Sequence, residues 1–310
     1  MYKYVIKRIL LLIPILIGVS FIIFTIMSLK PGDPALIILG GEASSEEALE
    51  QVREELGLND PFFVQYFNYM KGALTGDLGI SYRNGSVVMD EIVARFPVTL
   101  TLATFSMLLV CLIGIPIGVI SAVKQYSVVD MVSVVFALLL ASMPSFWIGL
   151  MLILLFSVQL GWFPATGTAS LINYVLPSIT LAAVNMAVVT RMTRSTMLEV
   201  IRQDYVRTAR AKGASEKRII IRHCLKNAMI PVLTTVAIQF GKLIGGAVLV
   251  EAVFAMSGLG TLFVDAIRMN DTPLIMGAVM FLAIIFTIIN LVIDLLYAAI
   301  DPRIKAQYSK

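Results

Sequence analysis

The chain has 310 residues, of which 58% are hydrophobic and only 14% are charged, and its mean hydropathy is +0.90. Soluble domains carry about 25% charged residues, so this composition argues strongly against a soluble enzyme and excludes a disordered chain. One histidine and two cysteines leave almost nothing from which a zinc cluster or a disulfide framework could be built. The composition predicts an all-α integral membrane protein.

Uncharged intervals predict where the chain crosses the membrane, because a spanning helix needs about 20 apolar residues. Six spans are predicted, at residues 9–29, 98–123, 132–158, 174–192, 228–250 and 274–297, within one permease domain over 1–310. The third and fourth spans share one interval without charge, which Gly161, Pro164 and Pro177 divide. Six crossings place both termini on the same side of the membrane.

The distribution of Lys and Arg predicts the orientation, since these residues concentrate in cytoplasmic loops. Seventeen of the 24 lie at the two termini, at Lys124 or in the segment 191–227, and six lie on the other side. Both termini and the segment 191–227 are therefore predicted to be cytoplasmic, with 30–97, 159–173 and 251–273 outside. The first span has no small-residue cleavage site, so it is predicted to remain as an anchor.

Residues 30–97 form a predicted external helical segment between the first two spans. The helical spacing of Leu49, Val52 and Leu56, followed by Gly57, predicts one helix. A second helix after Asp60-Pro61 is unusually aromatic over residues 62–70. These rings either rest on the bilayer interface and the outer helix ends, or form a docking surface for an external partner.

The segment 193–227 is predicted to be a basic cytoplasmic loop that contains a short helix. Asp204 can cap a helix from Tyr205 to Lys212, and Gly213 can end it. Eight residues are too few for an isolated helix, which is marginal below roughly 12–15 residues in water. The helical spacing places Tyr205, Thr208, Ala209 and Lys212 on one face. A short helix with such a small-residue face would gain order by docking into a groove on another protein. Ser215 can cap a second helix, predicted to run to Pro231 at the start of the fifth span.

Several motifs together resemble one transporter family. The run Asp204-Tyr205-Val206-Arg207-Thr208-Ala209-Arg210-Ala211-Lys212-Gly213, followed by residues 223–231, resembles the cytoplasmic loop of binding-protein-dependent ABC importer permeases of the dipeptide, oligopeptide and nickel branch. Further matching stretches are found at 31–34, 55–58, 76–81, 191–194, 258–260 and 301–303. The resemblance covers essentially the whole chain, and the motifs are specific when taken jointly.

The resemblance implies a type I importer permease in a bacterial or archaeal cytoplasmic membrane. It implies a second homologous permease, two cytoplasmic ATPase subunits and an external substrate-binding protein as partners, besides the lipid bilayer, and no nucleic acid. The loop at Asp204, Tyr205, Arg207, Thr208, Ala209, Arg210, Ala211, Lys212 and Gly213 is similar to the coupling helix that enters a groove on one ATPase. The acidic residue that opens this loop in the wider superfamily is absent here, since Arg207 takes its place.

The chain carries no phosphate-binding G-x-x-x-x-G-K-[ST] motif and no predicted catalytic or metal site. We therefore expect no cofactor on this chain, with ATP and Mg²⁺ bound by the partner ATPases. A non-catalytic permease for dipeptides, oligopeptides or a related solute is the leading hypothesis. The alternative is a stand-alone ion-coupled secondary transporter or channel, which would usually carry intramembrane acids along several spans.

Lys242 is an unexpected charge about 20 Å into the fifth span. A charge at that depth usually faces a cavity or a partner. Gln239 and Gly246 are predicted to share its face, and together the three residues are a tentative substrate path in which Lys242 attracts a carboxylate. Lys242 could instead extend to the outer edge of the membrane or pair with Glu251. The glycines at 114 and 118, and at 241 and 245, have a spacing that permits close helix packing.

Overall fold

The computed structural model describes residues 2–30, 32–39 and 45–300, with the side chains of 2–9, 12 and 294–300 left out. Apart from an isolated β-bridge between Ile80 and Val87, regular structure in these residues is helical. The helices are α1 (Tyr2–Leu29), α2 (Pro34–Ile38), α3 (Glu46–Glu55), α4 (Phe62–Leu74), α5 (Val88–Leu109), α6 (Ile115–Val123), α7 (Val128–Ser142), α8 (Ser145–Leu152), α9 (Val175–Ile201), α10 (Asp204–Ala211), α11 (Glu216–Arg218), α12 (Lys226–Val253), α13 (Leu259–Met269) and α14 (Thr272–Ile300).

Short irregular helical turns join several of these helices into longer rods. π-Helical turns lie at Val110–Gly114, Ile153–Gln159 and Ile219–Leu225, and a 3₁₀ turn at Leu171–Tyr174 precedes α9. As a result Val88–Val123, Leu171–Ile201 and Glu216–Val253 are each continuous. With Thr272–Ile293 they make four helices within the described residues that are long and apolar enough to span a membrane, or five if one bent pair is counted.

The predicted span 132–158 is not one straight helix. The helices Val128–Ser142 and Ser145–Gln159 meet at an angle of 103°. Met143, which precedes Pro144, has an extended backbone with φ −84° and ψ 134°. A proline disfavours the helical conformation in the residue before it and offers no N–H to continue the helix. Pro144 therefore breaks this segment within its apolar stretch.

The chain divides into two compact units, which are described separately. One comprises 98–257 and 288–300, and the other comprises the described residues of 2–97 together with 258–287. In the first unit α9 is central, because it contacts α6, α7, α8 and α12. α9 continues past residue 192, the end of the predicted fourth span, to Ile201.

The packing of α6 on α9 depends on two glycines. A Cβ atom added at Gly118 would lie 2.6 Å from the Cβ of Thr193 and 2.7 Å from the carbonyl oxygen of Thr190. A Cβ at Gly114 would lie 3.3 Å from Met186. The close approach predicted from the spacing of 114 and 118 is confirmed. In contrast, Gly245 of the second glycine pair has open space around it.

Aspartates at two helix starts make polar contacts within the second unit. The carboxylate of Asp33 accepts a hydrogen bond from the amide of Ala35 and pairs with Arg53 at 2.6 Å. Burial acts to raise the pKa of Asp33, but the hydrogen bonds from Arg53 and Ala35 bring it below its ordinary value. Asp271 is buried before α14 and accepts hydrogen bonds from the Ser81 hydroxyl and the Tyr82 amide. Asp33 and Asp271 thus each join a helix start to a residue distant in the sequence.

The aromatic helix α4 packs its rings on α1. Phe21 contacts Phe62 and Tyr66, and Phe24 contacts both of these and Tyr69, at ring-centre distances of 5.2–6.5 Å. Edge-to-face pairs of this kind add about 0.5–1.5 kcal/mol each beyond the area they bury. Three of the five aromatic residues of α4 therefore pack within the chain, on the side of α1.

The packing of α6 predicts the outcome of two glycine substitutions. Gly118→Ala is expected to lower the free energy of unfolding, because overpacking against the Thr190 carbonyl costs about 1–3 kcal/mol and outweighs a helix-propensity gain of about 1 kcal/mol. Gly245→Ala is expected to raise the free energy of unfolding, because the space around Gly245 is open and only the gain in helix propensity remains. Thermal denaturation in detergent checks this, and equal stability of the two variants would contradict the packing described here.

Candidate functional site

The short helix predicted within the segment 193–227 is present as α10. It covers Asp204–Ala211, and Gly213 follows it with φ +79°. The predicted stop at Gly213 is confirmed, since positive φ is a glycine conformation. The predicted cap is wrong by one residue: Gln203 is the N-cap, without a side-chain hydrogen bond. Asp204 is the first helical residue, a position at which the helix dipole favours a negative charge. Its carboxylate lies 3.9 Å from the guanidinium of Arg207.

One side of α10 packs against the chain itself. Val206 is fully buried and Ala209 is half-buried in an apolar cluster. The buried members of this cluster are Ala122, Met197, Val206, Ile219, Cys224 and Ala228. Ala209 therefore faces inward, whereas it was expected on the docking face. Sequence reasoning passed over Val206, although its spacing of three residues from Ala209 is the signal of a buried stripe.

The remaining predicted coupling residues are exposed. They are Asp204, Tyr205, Arg207, Thr208, Arg210, Ala211, Lys212 and Gly213. Arg207, Arg210 and Lys212 give this exposed surface a positive charge, and only Asp204 opposes them within α10. The helix thus presents a small, basic, solvent-facing surface while Val206 fixes its position.

Hydrogen bonds fix α10 to the helix that follows it. The Arg210 guanidinium binds the Glu216 carboxylate through two contacts of 2.7 and 3.2 Å, across the turn at Gly213. This hydrogen bonding raises the pKa of Arg210 above its already high ordinary value. The side-chain amide of Asn227 donates to the Tyr205 hydroxyl at 3.0 Å. Both ends of α10 are therefore tied to residues at or beyond 216.

The sequence predicted that the helix after Gly213 runs to Pro231. In the structure this helix continues past Pro231. Glu216–Val253 is one continuous helix with a π-helical turn at Ile219–Leu225. Pro231 lies inside α12, and membrane helices tolerate such prolines when local adjustments satisfy the freed carbonyl. One helix therefore runs without a break from Glu216, five residues after the end of α10, into the predicted fifth span.

A buried ion pair joins α7 to α9 in the same unit. Arg194 donates two hydrogen bonds to Asp130, from Nε at 2.7 Å and Nη2 at 2.8 Å. Asp130 is 4% exposed and also accepts from the Ser121 hydroxyl at 2.5 Å. A bidentate pair with further hydrogen bonds has the geometry needed to repay desolvation. Sequence reasoning recorded Arg194 within a motif but did not predict this partner.

The three residues of the predicted substrate path have different surroundings. Gln239 is buried, and its amide donates to the Asn185 side-chain oxygen at 2.9 Å. Lys242 and Gly246 are exposed. Glu251, the alternative partner of Lys242, is fully buried and accepts a hydrogen bond from the Thr99 hydroxyl at 2.5 Å. Gln239 is thus part of the α9–α12 contact, and Lys242 with Gly246 forms a separate exposed strip.

Comparison with solved structures gives the class of fold. A chain of the MetNI methionine ABC transporter in an inward-facing conformation matches with a TM-score of 0.58 and 21% identity, over 69% of this chain and 97% of that chain. A chain of an amino acid ABC transporter matches with a TM-score of 0.51 and 15% identity, over 69% and 94%. The fold is that of a type I ABC importer permease.

Family comparison then places the chain within that class. Residues 114–306 match the family described as binding-protein-dependent transport system inner membrane component, and residues 1–103 match its N-terminal region. The chain belongs to this family, and it is a multi-pass inner-membrane permease subunit of an ABC importer. The predicted resemblance and the predicted function are confirmed at this level.

Two relatives extend over nearly the full chain. The dipeptide transport system permease protein DppB of Alkalihalophilus pseudofirmus is 43% identical over 98% of this chain and 100% of its own length. The glutathione transport system permease protein GsiC of Escherichia coli K12 is 45% identical over 98% of this chain and 99% of its own length.

Among the described residues, no group of three His, Cys, Asp or Glu side chains could hold a metal ion.

The bridge between Arg210 and Glu216 predicts a local effect on α10. Glu216→Gln removes the charge but keeps the side-chain shape, so amide hydrogen exchange over 204–216 is expected to become a few-fold faster, a modest effect because both groups are exposed. Raising the ionic strength should reduce the difference in exchange rate between Glu216→Gln and the native chain, because salt screens the exposed ion pair. Glu199→Gln is the control, because Glu199 is exposed and has no ion pair among the described side chains. Identical exchange rates in Glu216→Gln and Glu199→Gln would show that the bridge from Arg210 to Glu216 does not stabilise α10.

Proposed function

We propose that this chain forms half of the translocation path of an ATP-driven importer of peptides, with dipeptides, oligopeptides and glutathione as the substrate range. The observation that carries the proposal is the match of 43–45% identity over 98% of the chain to permeases named for dipeptide and glutathione transport. Their names favour an importer subunit over the alternative of a stand-alone ion-coupled transporter or channel. A second homologous permease would supply the other half of the path.

The proposed topology has six spans with both termini in the cytoplasm. In this topology α1 is the first span and the bent pair of α7 and α8 with its π-helical turn is the third. The excess of Lys and Arg in the segment 191–227 supports the cytoplasmic position of α10. The segments 30–97, 159–173 and 251–273 then lie outside, where a substrate-binding protein would dock.

The proposed role of α10 is to couple two cytoplasmic ATPases to the path. Its exposed side, with Tyr205, Thr208 and Ala211, would enter a groove on one ATPase. ATP and Mg²⁺ would bind to the ATPases, and this chain would carry no catalytic site. The buried Val206 and the bridge from Arg210 to Glu216 support the proposal, because they make the helix move together with α9 and α12.

Alternating access follows from this rigidity. Closure of the ATPases on ATP would displace α10, and the continuous helix Glu216–Val253 would carry the displacement into the membrane. Such rigid-body motion is an established way to exchange two packed arrangements. For this exchange each ligand must bind one arrangement more tightly than the other. The docked binding protein and ATP would favour the outward-open arrangement, and ATP hydrolysis would restore the inward-open one.

The coupling role predicts a severe effect from a bulky residue on the exposed side of α10. Ala211→Trp is expected to reduce ATP-driven uptake in proteoliposomes by more than about tenfold, equivalent to about 1.4 kcal/mol of lost docking. The variant should still insert and purify with the second permease, because Ala211 is exposed in this chain. Lys124→Trp, on another exposed cytoplasmic position, is the matched control.

Crosslinking identifies the contact directly. In a background with Cys111→Ala and Cys224→Ala, Ala211→Cys is expected to crosslink to an ATPase, whereas the fully buried position of Val206→Cys is not. Normal uptake by Ala211→Trp together with no crosslink from position 211 would refute the coupling role.

We further propose that Lys242 faces the path and attracts the substrate carboxylate. Its exposure in this chain supports this position, since a lysine deep in a span is costly unless it meets water or a partner. Gly246, one turn away, would leave room for the substrate, while Gln239 would hold α12 against α9. Selectivity would still depend largely on the binding protein.

Neutralising Lys242 tests its role. Lys242→Met should lower uptake of a dipeptide about tenfold in kcat/KM, and Lys242→Arg should retain most of the activity. Leu249→Met, at an exposed apolar position of the same helix, is the control for a change of side chain in α12. Unchanged affinity and rate in Lys242→Met would remove Lys242 from the path.

A further inference from the structure

One face of α4 remains uncovered although the helix is docked on α1. The face consists of Phe63, Phe67, Lys71 and Leu74, which lie on one side of the helix because they are spaced by four, four and three residues. Phe63 is 71% exposed, Phe67 is 68% exposed and Leu74 is 84% exposed. We call these four residues the outer α4 face. Large apolar side chains exposed together mark a surface that contacts something other than water.

The opposite side of α4 determines the level at which the helix lies along α1. The rings of Phe62, Tyr66 and Tyr69 surround Phe24 at 5.2–6.5 Å. The hydroxyl of Tyr66 reaches further, to the carbonyl oxygen of Ile17 at 3.1 Å and to the Ser20 hydroxyl at 2.9 Å. The position of α4 is therefore fixed by both ring packing and hydrogen bonds.

That level is inside the apolar part of α1. Phe21 and Phe24 precede the end of the helix at Leu29 by eight and five residues, which corresponds to about 12 and about 8 Å along the axis. The first charged residue on this side is Lys30. Amphipathic helices at membrane surfaces bury their apolar face about 5–10 Å into the boundary between headgroups and acyl chains. α4 lies at a comparable depth.

From these observations we infer that α4 is embedded in the outer leaflet of the bilayer, with the outer α4 face in contact with lipid. The inference rests on the proposed topology, in which α1 is the first span. It resolves the choice between a membrane surface and a protein-docking surface in favour of lipid. At the same level α1 exposes Ile22 to 59%, so both helices present apolar side chains to the same layer.

The charge pattern of α4 agrees with a lipid environment. Lys71 is the only charged residue among the thirteen of the helix, and it lies near the C-terminal end of the outer α4 face. A lysine in that position can extend its ammonium group to lipid phosphates while its stem covers apolar surface. The polar side chain of Gln65 is turned away from lipid, since it donates to the backbone oxygens of Leu58 and Asp60.

Nitroxide labelling of the assembled importer tests the inference. In the background lacking Cys111 and Cys224, Phe67→Cys is labelled and the complex is reconstituted in phosphatidylethanolamine–phosphatidylglycerol vesicles. Collision with oxygen, which concentrates in lipid, is compared with collision with a water-soluble nickel chelate. We expect position 67 to favour oxygen, as position 22 of α1 should in Ile22→Cys. Glu54→Cys, on the exposed side of α3, should favour the nickel chelate.

Two results would overturn the inference. A label at position 67 that behaves like the one at 54 would place the outer α4 face in water. A label shielded from both reagents would show that a protein partner covers the face. Failure of the proposed function is distinguished by the other measurements: position 22 reports whether α1 spans the membrane, and ATP-driven uptake by each labelled complex reports transport.

Discussion

Everything that α10 can do depends on the burial of Val206. A helix of eight residues has no stability of its own in water, and its other side chains are exposed or, in Ala209, half-buried. Burying one valine contributes about 1.5–3 kcal/mol, and the cluster around it draws on α9, α12 and the π-helical turn between α11 and α12. α10 is consequently a fixed projection of its unit, and a force applied to it would be transmitted through packed side chains.

The sequence predicted the presence of most helices because apolar length and glycine conformation are local properties. It predicted α10 and its end at Gly213, and the apolar helices that follow. It could not predict the break at Pro144, since prolines at 14, 97 and 231 lie inside unbroken helices. Whether a proline ends a helix depends on which neighbours can satisfy the freed carbonyl groups, and that is a tertiary property.

For the candidate site the sequence predicted the segment 204–213, but not the surroundings of its individual residues, because these too depend on tertiary structure. Composition showed that residues 204–213 are basic and short, but not which side of α10 faces the chain. Ala209 was assigned to the docking face because it is small, although it packs inward. The partners of Asp130 and Gln239 lie 64 and 54 residues away, a separation at which no helical periodicity carries information. Long-range polar pairs of this kind become visible only with the fold.

Three aspartates use the same physical device at different helix starts. Asp33, Asp130 and Asp271 each lie at or next to the first turn of a helix, where the helix dipole favours a negative charge. Each also accepts a hydrogen bond from a distant residue, respectively Arg53, Arg194 and Ser81. Such contacts fix the ends of helices whose apolar sides cannot specify a register against lipid, because lipid solvates every apolar side chain equally well. The register of these helix ends is therefore specified by polar contacts, while within the predicted spans close packing such as that of Gly118 of α6 on α9 supplies the same specificity.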